Sequence, residues 1–126
     1  MTRALAERLA KRGVPFGHWA FLRILWQEDG LTQRRLAELA GMTEPTTTGA
    51  LKAMEQAGYV RRRQTRENRK NIYVRLSARG RALEKALVPL AEEVNKIAVR
   101  GVAAADVAAT RRALVAIAEN LARSQE

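Results

Sequence analysis

Between Leu31 and Leu76 the chain reads helix, glycine turn, helix, then basic hairpin, and few folds accommodate that order. The string LTQRRLAELAGMTEPTTTGALKAMEQAGYV runs directly into RRRQTRENRKNIYVRL. Thr32 suits the N-cap of a helix over 33–40, and Gly41 supplies the turn. Thr43 suits the next N-cap, and Pro45 falls in a first turn, where backbone donors are unpaired in any case. Such a pair presents its second helix to the major groove of DNA, and a basic hairpin just after it grips the flanking backbone.

Helical spacing sorts core residues from exposed ones. In the first helix it turns Leu36, Leu39 and Ala40 inward. In the second, Thr47, Leu51, Met54 and Gly58 recur at four-three-four spacing and mark the buried face. The other face carries Glu44, Pro45, Thr46, Thr48, Gly49 and Lys52, small and polar enough to enter a groove. Thr46, Thr48, Gly49 and Lys52 are therefore the candidate DNA contacts, with Gln33 and Arg34 as phosphate clamps at the start of the preceding helix. Glycine inside a helix costs about 1 kcal/mol relative to alanine. Either close approach to DNA or tight packing on a neighbouring helix accounts for Gly49.

The hairpin pairs Tyr59–Gln64 with Asn71–Leu76 through the turn TRENRK. The chain carries a formal charge of +10, and residues 61–75 hold seven basic side chains against Glu67 alone, a net +6. The charge is a patch, and a positive patch seeks polyanions. Arg62, Arg66, Arg69 and Lys70 are the candidate backbone or minor-groove contacts. Arg61, Arg62 and Arg63 alternate faces along a strand, so at least one of them is structural.

Outside this region, residues 2–12 form a short amphipathic helix with Leu5 and Leu9, and FGHWAFLRILWQ (16–27) forms a buried one ending at Glu28-Asp29-Gly30. From Ser77 a long helix carries the heptad-spaced Leu83, Leu87, Leu90, Val94 and Ile97, kinked at Pro89 and ended at Gly101. A last helix, about 104–122, repeats the spacing through Val107, Leu114, Ile117, Ala118 and Leu121. These stripes exceed what a small winged domain needs and suit dimerisation. The absence of cysteine removes disulfides, thiolate chemistry and zinc fingers. A single histidine, His18, makes neither a metal cluster nor a catalytic triad; Glu92 and Glu93 diverge on their helix, and no phosphate-binding glycine loop is present. No enzyme, cofactor or metal is expected. The N-terminal MTRALAERLAKRG lacks the apolar core of a signal peptide, and no run suits a membrane span. A cytoplasmic location is expected.

The recognition segment, together with the hairpin exit VRLSARG, resembles the multiple antibiotic resistance regulator (MarR) family over about Val14 to Leu121. The resemblance implies a mainly α fold with a small β-hairpin wing. One domain spans 1–126, with a winged helix-turn-helix at 16–76 and dimerisation helices at 1–15 and 77–126. It implies a homodimer paired through its terminal helices, here Leu5, Leu9, Val107, Leu114 and Leu121, on near-palindromic double-stranded DNA. It further implies a repressor relieved by a small aromatic ligand in a crevice near His18 and Trp19. The wing-tip arginine of the family maps to Arg69, with Asn68 where the family has Asp. The competing expectation is a basic architectural protein that coats DNA without sequence preference.

Overall fold

The computed structural model describes residues 2–67 and 70–124. Six helices and three short strands follow in the order α1 (Thr2–Ala10), α2 (Phe16–Gln27), β1 (Leu31–Thr32), α3 (Gln33–Ala40), α4 (Glu44–Gln56), β2 (Val60–Gln64), β3 (Ile72–Leu76), α5 (Ala78–Ala98) and α6 (Ala104–Ser124). The winged helix-turn-helix arrangement is as the sequence implies. The hairpin is joined by β1, giving an antiparallel sheet in the order β1-β3-β2, with Leu31 opposite Val74. A two-residue strand leaves no alternation to detect, so β1 escapes sequence reading.

Three caps set the helix starts. Thr32 Oγ1 accepts from Arg35 N (3.1 Å), Thr43 Oγ1 from Thr46 N (3.3 Å), and Ser77 Oγ from Gly80 N (3.1 Å). Gly41 ends α3 in the left-handed region (φ 66°), which turns the chain into α4. Phe21, Leu22 and Leu25 of α2 form the centre of the core with Leu36, Leu51, Met54, Val74 and Leu87.

Asp29, read from sequence as a turn residue, ties three elements together. Its Oδ1 accepts from Gly30 N and Leu76 N, and its Oδ2 pairs with Arg81 of α5, each at 2.9 Å. Gly80 is equally constrained. A Cβ there would strike the Tyr59 carbonyl oxygen, and the Gly80 carbonyl accepts from Trp26 Nε1 at 2.9 Å.

Several expected faces differ. Leu39 is exposed and Ala37 is buried in its place, because at ~100° per residue the face centred on Leu36, Ala37 and Ala40 leaves Leu39 to one side. Gly58 is exposed at φ 84°, where it ends α4 rather than extending the buried face. Leu9, expected at a dimer interface, is fully buried within its own chain. It packs in the core where α1 lies on α2 and α5, so it has no surface for a second copy. Leu83, Leu87, Leu90 and Val94 likewise pack inside the chain, and Ile97 alone of that stripe is exposed. The α5 helix runs unbroken through Pro89.

Against this body α6 stands apart. It has no buried residue and no extended packing contact with another element. Leu114, Val115, Ile117 and Leu121 are each more than half exposed.

Candidate nucleic-acid interface

The first turns of α4 project from the body because the helix is anchored by its opposite side. Thr47, Leu51 and Met54 are completely buried, and the Thr47 hydroxyl is satisfied by the Thr43 carbonyl at 2.8 Å. That register leaves Thr46, Gly49 and Lys52 exposed and Thr48 half-buried at the edge. Thr46 is partly committed to the cap, since its Oγ1 accepts from Thr43 Oγ1 at 2.9 Å. A Cβ at Gly49 would meet nothing within 4 Å. Packing within the chain therefore does not account for this glycine.

Gln33 and Thr48, read separately from sequence, are one unit. Gln33 Nε2 donates to Thr48 Oγ1 at 2.7 Å across the α3–α4 turn. One lone pair of the hydroxyl is thus occupied, while its proton has no acceptor among the described residues. The contact fixes the Thr48 hydroxyl against the Gln33 side chain. Among the described residues Gln33 Oε1 is buried without a partner, beside a hollow of about 460 Å³ lined by Gln33, Arg34, Glu44, Lys70 and Asn71 among others. Arg34, Lys70 and Arg66 are exposed around the same side or at the hairpin turn.

Arg62 is placed differently from expectation. Its guanidinium reaches Glu55 Oε1 (3.2 and 3.4 Å), and its backbone N–H donates to Glu55 Oε2 (3.1 Å). The side chain is only 17% exposed. Strand alternation turns Arg62 toward α4, so it fastens the hairpin to that helix instead of facing outward. Arg61, Arg63 and Arg75 occupy the opposite face of the sheet. Arg69 and Asn68 lie outside the described residues.

A second hollow, of about 410 Å³, opens between α1, α2 and α5 and is lined by Leu5, Phe16, Trp19, Arg23, Val88 and Glu92, among others. Trp19 meets Trp26 edge to face (5.7 Å) and carries the Arg23 guanidinium over its ring (5.9 Å). His18 does not line it. It is 8% exposed, edge-on to Tyr59, and its buried Nδ1 has no partner among the described residues. Desolvation by burial lowers its pKa from the ordinary 6.5. Arg23 and Phe16 were missed in sequence because their helix reads as apolar on nearly every side. Among the described residues no group of His, Asp and Glu is placed to hold a metal, and no helix is long and apolar enough to cross a membrane.

Residues 17–72 match the model of the MarR family. The organic hydroperoxide resistance transcriptional regulator of Bacillus subtilis (strain 168) is 27% identical over 90 residues, 71% of this chain and 61% of that protein. The chain matches only 42–61% of the length of the curated regulators similar to it. Among solved structures, a MarR transcriptional regulator from Methanosarcina mazei Go1 superposes with a TM-score of 0.90 at 24% identity, covering 97% of this chain and 88% of that one. A MarR-family regulator from Listeria monocytogenes, solved in complex with a 26mer DNA, gives 0.86 at 21% identity, covering 98% and 82%. At those identities the likeness is one of fold.

Proposed function

We propose that this chain, whose residues 17–72 match the model of the MarR family, is a sequence-specific double-stranded DNA-binding transcriptional regulator. It acts as a homodimer that represses by occupying a near-palindromic operator. Residues 16–76 form the reading unit, and 1–15 with 77–126 the pairing unit. The observation that carries the reading is the register of α4. Thr47, Leu51 and Met54 are sunk in the core while Thr46, Gly49 and Lys52 stand out beside a hairpin region of net charge +6. A helix so anchored can enter a major groove without losing its own packing.

Within the groove Thr48 acts as a donor. With Gln33 feeding its oxygen, its proton is available to purine N7, guanine O6, thymine O4 or a phosphate oxygen. Lys52, Arg34, Arg66 and Lys70 neutralise phosphates, and Arg69 is assigned to the minor groove. Gly49 lets the helix backbone approach closely, a reading favoured by the open space around it. Arg62 supports the interface indirectly by holding the hairpin against α4.

Pairing is assigned to α6, through Leu114, Ile117 and Leu121, with Val107 and Leu5 at its margin. A helix with this much exposed apolar surface and no extended packing contact among the described residues is completed by a second chain. The hollow beside Trp19 and Arg23 is assigned to a small aromatic effector. Such a ligand relieves repression only by favouring a dimer whose two α4 helices are out of step with the DNA turn. No catalytic step is assigned, and the protein works in the cytoplasm, where its DNA lies.

Titration of labelled duplex at increasing salt tests the reading. With about eight phosphate contacts per dimer, log affinity falls against log salt with a slope of roughly −7. A slope near zero contradicts DNA binding through this surface.

A further inference from the structure

The sheet has two faces of opposite character. On the inner face Val60, Val74 and Leu76 are buried, and Arg62 is neutralised by Glu55. On the outer face, strand register sets Arg61 directly across from Arg75, and Arg63 across from Tyr73. These four side chains, with Leu76 and with Ser77 and Ala78 at the start of α5, line a concavity of about 360 Å³.

Like charges directly opposite destabilise a sheet, and nothing here offsets them. Among the described residues none of the three guanidiniums has an ion-pair or hydrogen-bond partner. The Arg75 guanidinium lies over Gly30, where a Cβ would stand 3.4 Å from its Cζ. Asp29, next to Gly30, is already taken by Arg81 and by the amides of Gly30 and Leu76. The face is therefore a cluster of three charges with no acid to satisfy it.

We propose that this face is an anion site for a compact ligand carrying two or more phosphate groups, distinct from the DNA-reading surface. The charge sets the class: three guanidiniums call for more than one negative charge, which a lone carboxylate does not supply. The guanidinium fork also matches phosphate oxygens in pairs. Position argues against operator DNA as the occupant. The Arg61–Arg75 pair stands at the base of the hairpin, roughly 13 Å from its turn at about 3.3 Å per residue, on the side turned away from α4. A concavity there suits a small anion better than a duplex. The inference does not rest on the assignment of α4 to DNA.

The test is calorimetric titration of the full chain with sodium tripolyphosphate at about 150 mM salt, where weak surface attraction is screened, with orthophosphate as the comparison. Tripolyphosphate binds saturably and more tightly than orthophosphate. The double variant Arg61→Gln/Arg75→Gln weakens it about tenfold or more, the loss expected of two charge-assisted hydrogen-bonding groups. The wing-turn variant Arg66→Ala leaves it in place. The double variant also melts no lower than the parent at low salt, since a repulsion has been relieved, which separates lost binding from lost fold. Absence of saturable binding, equal binding by parent and double variant, or an equal loss in Arg66→Ala overturns the site. A parallel loss of duplex affinity in the double variant also overturns it, by making this face part of the DNA surface.

Discussion

In the proposed reading Thr48 is the residue that meets a base, and its hydroxyl accepts from Gln33, fifteen positions away in sequence. Thr48→Val keeps the shape and removes the donor, together with the acceptor of Gln33 Nε2. We expect a loss of about 0.5–1.5 kcal/mol in operator binding, concentrated at one base position, measured by anisotropy on single-base operator variants. Where the base at that position is a purine contacted at N7, its 7-deaza analogue costs the parent similarly and the variant little. His18 provides a separate check on the core. Its buried imidazole is held below the ordinary pKa of 6.5, so on acidification the unfolded chain takes up the proton first. The stabilising effect of the neutral ring is complete above about 6.5 and declines as pH falls from there through the folded value. Denaturant melts of His18→Gln against parent should show that slope reduced; identical pH profiles would contradict it. Periodicity alone separates Thr47 from Thr48 and Lys52. It is silent on Gln33 meeting Thr48, because the contact depends on how two helices cross.

The ion pair of Glu55 with Arg62 joins the recognition helix to its hairpin. Arg62→Ala should weaken operator binding with little change in salt slope, since the lost group holds an element in place and neutralises no phosphate. Arg66→Ala, by contrast, should lower the magnitude of the slope by about 0.9 for each phosphate contact removed. A slope change in the first equal to that in the second would return Arg62 to the DNA surface. Gly80 sits where α5 crosses the Tyr59 backbone, and Gly80→Ala should destabilise by about 2 kcal/mol or more, read as a lowered melting temperature. Caps, helix order and hairpin strands are legible because each has a local signal: Thr32, Thr43 and Ser77 at helix starts, alternation in 60–64 and 72–76. Which strand face Arg62 takes, why Gly80 must be glycine, and that Asp29 binds three elements are tertiary facts with no local trace.

At the scale of the whole molecule, α6 is a 21-residue helix with no extended packing contact among the described residues. Leu114→Asp/Ile117→Asp should convert a dimer to a monomer in sedimentation and abolish tight operator binding while leaving the core's melting largely intact. The apolar stripe of α6 is plain in the sequence. That the α5 stripe closes inside the chain while the α6 stripe stays open is not, because heptad spacing is the same for both uses. Leu9 illustrates the ambiguity, as its spacing fits an interface and its place is the core. The central claim is that two copies of α4 read one site, and selection of random duplex DNA on the purified protein at about 150 mM salt, followed by sequencing, tests it most directly. The account predicts an enriched near-palindrome with half-site centres about 10–10.5 bp apart or a multiple of that spacing. Enrichment of no sequence, with binding that vanishes as salt rises, would contradict it and leave a protein that coats DNA by charge alone.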